Sequence, residues 1–227
     1  MALTVLAIIS IAFIGVMIAL VCMIVSTHPR ATRDASETIL ARERIFARVS
    51  TRILGRHLAD LAPGAKTLVI MEKPISPPTL KPLLDGLGDG LAEGLGKPAT
   101  IAAVESPPDD ATEESFCAAQ IDALIAKHPD CHLIVSLSGM PTDYSDMAIW
   151  TRDPGQRPIV AVAMGDVPML RNAILGHAIH AAILTRTDTG TDTLASDPQD
   201  IFGQRYLLAT PDNIEELAAE HGHLFAE

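Results

Sequence analysis

Aromatic side chains, cysteines and positive charge are all scarce in this sequence. Phe, Trp and Tyr together make up 4% of its 227 residues, there are three cysteines, and the formal net charge is −11. Few aromatics argue against a protein that stacks on bases, and three cysteines are too few for a disulfide-rich secreted scaffold. The negative charge argues against binding to a phosphate backbone, so we expect no nucleic-acid partner. Hydrophobic residues, at 48%, suffice for one ordinary core.

The amino-terminal segment carries no charged side chain. From Ala2 to Val25 there is no Asp, Glu, Lys or Arg, and as a helix this run is about 36 Å long. That length crosses a hydrocarbon core of about 30 Å, so the sequence predicts a transmembrane helix at 1–26, with the lipid bilayer as a partner. A cleaved signal peptide is the alternative, but it needs a basic amino-terminal region, and only Met1 precedes the apolar run.

Basic residues follow the apolar run. Residues 27–66 carry eight Lys and Arg against four Asp and Glu. Because Lys and Arg beside a span stay on the cytoplasmic side, we expect a single-pass protein of the inner or plasma membrane with its remaining residues in the cytoplasm. An extracytoplasmic placement stays open, since some amino-terminal anchors export the chain that follows them.

A helix with two distinct faces is predicted from Ser36 to Leu61. Its apolar residues share one broad face, and arginines recur every fourth position along an adjoining stripe: Arg44, Arg48, Arg52 and Arg56. A basic amphipathic helix in a juxtamembrane segment, here 27–63, is suited to the anionic head groups of a membrane surface. The alternative is a helix whose apolar face covers the following domain or a partner helix.

Short β-branched runs alternate with helical patterns from residue 64 to 227. The runs predict strands at 67–71, 100–104, 132–137, 159–163, 181–185 and 205–209. The segments between the runs predict helices at 79–95, 113–127, 144–150, 167–179 and 213–221. Nearly continuous apolar strands separated by helices imply a parallel sheet that is covered on both faces. We therefore expect an α/β three-layer sandwich with a mainly parallel sheet of five or six strands, for which flavodoxin-like winding is one option.

The first predicted helix of this domain carries regularly spaced glycines. Gly86, Gly90 and Gly94 lie four residues apart beside a ridge of leucines. A nucleotide-binding signature would place its glycines in the turn directly after a strand, whereas these begin fifteen residues past the first predicted strand. We interpret them as helix-packing residues, in a close-packing stripe or a groove that faces a partner.

The strand ends carry no common catalytic signature. A phosphoacceptor site would need an acidic pair after the first strand, where the sequence has Glu72 alone, and residues 135–139 lack the first glycine of a nucleophile elbow. Metal binding is not indicated either, because Cys117 and His128 are separated by most of a helix. We therefore expect a non-catalytic domain without a cofactor or a metal, and an enzyme of unrecognised type stays an alternative.

Several segments between residues 121 and 186 form a connected pattern of helix, strand and strand-end loop. They are Ile121–Lys127 (IDALIAK), Leu133–Val135 (LIV), Ser138–Pro141 (SGMP), Pro158–Val162 (PIVAV), Gly165–Asp166 and Gly176–Ile183 (GHAIHAAI). The pattern resembles one lobe of the type I periplasmic-binding-protein superfamily. The resemblance implies a single such lobe as the fold, with a ligand contacted by the loops after the strands, here by Ser138, Gly139, Asp143 and Asp166.

Two functions follow from these features. The anchor, the glycine stripe and the lack of a catalytic constellation favour an accessory or scaffolding subunit of a larger membrane assembly, with other membrane protein subunits as partners. The alternative is a membrane-tethered domain, solute-binding-like or sensory, that binds a small molecule. In that domain Tyr144 and Trp150 would form stacking walls, and Asp143 or Asp166 would bind hydroxyls or amines.

Overall fold

The computed structural model describes residues 36–72, 75–107, 116–164, 167–186 and 193–225. The chain divides into two compact units, Met1–Glu43 and Arg44–Glu227. The transmembrane helix predicted at 1–26 lies outside the described residues. Within those residues, no helix is both long enough and apolar enough to cross a membrane.

Helices and strands alternate along the described chain. The helices are α1 (36–61), α2 (Pro77–Glu93), α3 (Ala118–Lys127), α4 (Val167–Leu175), α5 (Pro198–Arg205) and α6 (Ile214–Glu220). The strands are β1 (Lys66–Ile70), β2 (Thr100–Glu105), β3 (Cys131–Ser136), β4 (Ile159–Val162), β5 (Ala181–Thr185) and β6 (Tyr206–Ala209). Residues 44–61 of α1 belong to the larger compact unit, although the sequence assigned them to a juxtamembrane segment.

All six strands form one sheet in the order β2-β1-β3-β4-β5-β6. Strands β1 to β5 run parallel to their neighbours, and β6 runs antiparallel to β5. The expected mainly parallel sheet is therefore confirmed, with one antiparallel strand at its edge.

Buried side chains form a separate core on each face of this sheet. On one face Val135 of β3 packs in a cluster with Leu54 of α1 and Leu87 of α2. On the other face its neighbour Ile134 packs in a cluster with Ile121 of α3. Because successive side chains of a strand point to opposite faces, one strand contributes to both cores. Helices on both faces of the sheet make the unit a three-layer sandwich.

The glycine stripe of α2 lies against α1, a helix of the same chain. A methyl group on Gly86 would overlap the carbonyl oxygen of Arg48, and one on Gly90 would overlap the carbonyl oxygen of Arg52. A methyl group on Gly94 would overlap the Cβ of Ala59, near the carboxyl end of α1. The two helix backbones therefore approach more closely than any residue with a Cβ would allow.

The arginine stripe of α1 runs beside this contact. The Arg48 guanidinium lies 2.7 Å from Asp89 Oδ2, and Arg52 donates to both carboxylate oxygens of Glu93 at 3.0 and 2.5 Å. Arg56, one turn further on, is exposed. Two of the arginine charges are thus offset within the domain by acidic residues of α2.

Three details differ from the sequence-based expectation. Helix α4 ends at Leu175 instead of residue 179, because His177 adopts the left-handed conformation with φ of 57°. Residues 144–151 form two 3₁₀ turns, Tyr144–Asp146 and Ala148–Thr151, in place of one short helix. The pattern did not predict α5, whose first turn is capped by the side chain of Asp197 at 2.8 Å.

Candidate functional site

The strand order creates a crevice at the carboxyl edge of the sheet. Strand β1 lies between β2 and β3, so the chain leaves β1 and β3 towards opposite faces. In open α/β sheets the crevice at such a reversal is where ligands bind, because two loops diverge there and leave space between them.

A cleft of about 630 Å³ occupies this position. Glu72, just past β1, forms one side, and Phe116 and Cys117, just before α3, form another. The loop after β3 supplies the remaining lining residues: Ser138, Met140, Pro141, Thr142 and Asp143. A volume of this size falls within the range of small-molecule sites.

The turn after β3 is held by hydrogen bonds that start at Ser136, a buried residue. Its hydroxyl donates to the carbonyl oxygen of Gly139, and its Oγ accepts from the backbone N–H of Ser138 at 3.4 Å. Gly139 has φ of 86°, a conformation that residues with a side chain rarely adopt. This tight turn places the Ser138 hydroxyl at the cleft, where its Oγ also accepts from the backbone N–H of Glu72 at 3.1 Å.

Asp143 has a structural bond as well as a place in the cleft. Its Oδ1 accepts from the backbone N–H of Ala118 at 2.9 Å, at the first residue of α3. That N–H has no partner within the helix, so the carboxylate satisfies it and fixes the loop to α3. The other carboxylate oxygen of Asp143 is not used by this bond.

The polar lining of the cleft bears negative charge. Glu72 and Asp143 supply two carboxylates, Ser138 and Thr142 supply hydroxyls, and no Lys or Arg lines the cleft among the described residues. Phe116 and Met140 add apolar surface. This chemistry suits an uncharged hydroxylated ligand or a cation and disfavours an anion, because two carboxylates would repel it.

The structure brings together two of the six residues that the sequence proposed for a ligand. Ser138 and Asp143 line the cleft, whereas Gly139 shapes the turn beneath it. Tyr144 and Trp150 do not line the cleft. Both pack against the core on the α3 side, and the indole N–H of Trp150 donates to the Tyr144 carbonyl at 2.6 Å. Asp166 lies outside the described residues.

Metal-binding groups do not assemble in the part of the chain that the structure describes: no three His, Cys, Asp or Glu side chains are placed to hold an ion. His128 Nε2 lies 2.8 Å from Glu105 Oε1, and Lys127 Nζ lies 2.8 Å from the same oxygen. The hydrogen bonds from Lys127 and then His128 lower the pKa of Glu105. Cys131 is only 7% exposed, and its burial raises the pKa of the thiol.

Comparison with known proteins finds similarity in structure but not in sequence. No protein-family model matches the chain, and no curated protein matches it. A galactofuranose binding protein superposes with a TM-score of 0.53 at 13% identity, covering 79% of this chain and 64% of that one. A sugar-binding protein of a Bacillus halodurans sugar ABC transporter gives 0.52 at 12% identity, covering 75% and 64%. AraP, an arabinose binding protein from Geobacillus stearothermophilus, gives 0.50 at 12% identity, covering 75% and 62%.

These matches identify the fold class. The α/β unit has the fold of a type I periplasmic-binding-protein lobe, which confirms the resemblance seen between residues 121 and 186. At 12 to 13% identity the likeness concerns the fold alone. The chain spans less than two thirds of the length of these proteins.

Proposed function

We propose that this chain is a membrane-tethered, single-lobe binding domain that takes a small, uncharged, hydroxylated molecule in the cleft at the ends of β1 and β3. The observation that carries the proposal is the lining of that cleft: hydroxyls and carboxylates beside an aromatic ring, without a basic side chain among the described residues. The solved proteins with this fold support it, since they are described as binding galactofuranose and arabinose.

Each polar group of the cleft has a defined role towards such a ligand. Ser138 Oγ accepts from the Glu72 backbone N–H, so its own proton is available to donate to a ligand oxygen. The Glu72 carboxylate accepts from ligand hydroxyls, and charge-assisted hydrogen bonds of this kind are the stronger ones. Phe116 offers an apolar surface to the carbon face of a ring.

The tether is the uncharged run from Ala2 to Val25, and the basic residues between 27 and 66 favour a cytoplasmic domain. A binding lobe held on that side of the membrane would sense a cytoplasmic solute. An extracytoplasmic lobe would instead sample solute outside the cytoplasm. The ligand chemistry proposed for the cleft is the same in both cases.

Cys117 provides a direct reporter of cleft occupancy. Full-length protein in mild detergent, with Cys22→Ala so that labelling at Cys22 does not interfere, is labelled with a maleimide in the presence of neutral monosaccharides and polyols. A ligand in the cleft should slow labelling of Cys117 and raise the melting temperature, because binding stabilises only the folded state. Ser138→Ala should weaken the binding of that ligand about fivefold to tenfold, because the loss of one hydrogen bond costs about 1 kcal/mol.

Ser145→Ala is the matched control, since Ser145 is exposed in the same loop but does not line the cleft. If a ligand protected Cys117 from labelling equally well in Ser138→Ala and Ser145→Ala, it would bind outside the proposed cleft. Failure of every neutral hydroxylated compound to protect Cys117 would refute the proposal.

An accessory-subunit role remains a second candidate because apolar side chains are exposed at the opposite edge of the sheet. Leu95 is 80% exposed and Leu61 is 45% exposed, and a 2.8 Å hydrogen bond from the Leu95 N–H to Asp60 Oδ1 links their segments. In this role a partner subunit would cover the two leucines, since contiguous exposed apolar surface marks protein interaction sites. Leu95→Lys would then dissociate a co-purifying subunit without changing Cys117 labelling, and unchanged co-purification would refute this role.

A further inference from the structure

A second cavity, of about 470 Å³, lies between α1 and α2, entirely within the larger compact unit. Three basic side chains line it, Arg44 and Arg48 from α1 and Lys81 from α2, together with one acidic side chain, Asp85 of α2. The rings of Pro78 and Pro82, one helical turn apart, form an apolar wall. Ile45 completes that wall and is 40% exposed.

We propose that this cavity binds the phosphate head group of an anionic phospholipid, with Arg44 and Lys81 at the phosphate and Ile45, Pro78 and Pro82 against the adjoining apolar part of the lipid. The inference rests on the membrane tether of the proposed function. It replaces a uniform basic stripe with one defined site, because the four arginines of the stripe have different surroundings.

Those surroundings single out Arg44. Arg48 and Arg52 are paired with Asp89 and Glu93, whereas Arg44 forms no ion pair among the described residues. It is therefore the one basic side chain of the cavity lining without an acidic partner in the part of the chain that the structure describes, since Asp85 in that lining is paired with Lys81.

Lys81 is paired, but only at the surface. Its Nζ lies 2.7 Å from Asp85 Oδ2, with the two side chains 75% and 40% exposed. An exposed pair one helical turn apart contributes little to stability, so a phosphate can recruit the ammonium at small cost.

The position of the cavity along the chain favours a lipid over a free phosphate. Only residues 27–35 separate the predicted span from α1, and nine residues extend at most about 32 Å. Arg44 lies about two turns from the start of α1. The apolar wall adds to this argument, because a free phosphate ion gains nothing from Ile45, Pro78 and Pro82.

The test is lipid titration of the full-length protein in neutral detergent, followed by native mass spectrometry. The probes are phosphatidylglycerol, zwitterionic phosphatidylcholine and inorganic phosphate. Phosphatidylglycerol should bind more tightly than phosphatidylcholine. Arg44→Gln should weaken the binding of phosphatidylglycerol about fivefold, and the double variant Arg44→Gln with Lys81→Gln should weaken it about 25-fold. These values correspond to about 1 kcal/mol per basic residue at an anionic surface.

The matched controls are Arg56→Gln, exposed on the same helix, and Lys97→Gln, exposed beyond α2; neither residue lines the cavity. Both should bind phosphatidylglycerol like the unmodified protein. Equal losses in Arg44→Gln and Arg56→Gln would overturn the site in favour of non-specific charge. Displacement of the lipid by inorganic phosphate alone would overturn the choice of a lipid.

Carbonate extraction of membranes tests the tether separately. Release of the chain by carbonate would refute the tether of the proposed function. The detergent titration measures lipid binding in the cavity whether or not the chain is tethered. A failure of the tether and a failure of the lipid site can therefore be told apart.

Discussion

A methyl group placed on Gly90 tests the contact between α1 and α2. It would overlap the carbonyl oxygen of Arg52 and come within 2.7 Å of the backbone nitrogen of Arg56. Both atoms belong to the backbone of α1 and cannot rotate away, so we expect a cost near the upper end of overpacking, about 3 kcal/mol. Alanine regains about 1 kcal/mol of helix propensity, which leaves Gly90→Ala less stable by about 2 kcal/mol.

Gly88→Ala, two positions away, is the matched control. A Cβ on Gly88 meets only the terminal methyl of Ile101, at 4.0 Å, so the helix-propensity gain of about 1 kcal/mol should appear undiminished. In thermal unfolding of the full-length protein, followed by far-UV circular dichroism in mild detergent, 1 kcal/mol corresponds to about 2–4 °C for a domain of this size. Gly90→Ala should lower the melting temperature by about 4–8 °C, and Gly88→Ala should raise it by about 2–4 °C. A Gly90→Ala variant as stable as the unmodified protein would refute the close contact.

Two further predictions concern pH and the membrane side. Burial lowers the pKa of both His57 and His180, so the unfolded chain takes up protons that the folded protein does not. The free energy of unfolding should therefore fall as the pH drops below about 6.5. In denaturant titrations, His57→Gln should make this dependence on pH less steep, whereas the exposed control His132→Gln should leave it unchanged. An unchanged pH dependence in His57→Gln would contradict the prediction. A membrane-impermeant maleimide should label Cys117, in a Cys22→Ala background, only after the membrane is opened, and labelling in intact cells would refute the cytoplasmic placement.

The strands were predictable because burial on both faces leaves continuous apolar runs. The run at 67–71 corresponds to β1 at Lys66–Ile70, and the run at 181–185 coincides with β5. The direction of β6 was not predictable, because an apolar run has the same pattern in a parallel and an antiparallel strand. That direction depends on the path of the chain between β5 and β6.

Helix α5 was missed because its residues lack a helical apolar stripe. Gly203 lies in its interior, and its buried apolar side chains are Ile201 and Phe202, adjacent in sequence. The available signal was at its start, where Asp197 and Pro198 occupy the N-cap and the first helical position, a combination typical of helix starts.

Two of the eight residues that line the cleft were proposed from the sequence. Ser138 and Asp143 were predictable because they lie in the loop after the buried strand β3, and the resemblance to a periplasmic-binding-protein lobe implies that such loops contact the ligand. Phe116 and Cys117 were not, because they reach the cleft only when β2 and β3 lie on either side of β1, and that order is not readable from one sequence. Trp150 was proposed as a stacking wall from its position in a long loop, but packing against the core holds it away from the cleft.

The identity of whatever accompanies the protein tests the central claim most directly. Full-length protein is purified from membranes in mild detergent and examined by native mass spectrometry. A binding domain predicts a lone chain that carries a small hydroxylated molecule, and Glu72→Gln with Ser138→Ala should abolish the extra mass. A chain of bare mass in stoichiometric complex with other subunits would contradict the claim and support the accessory role.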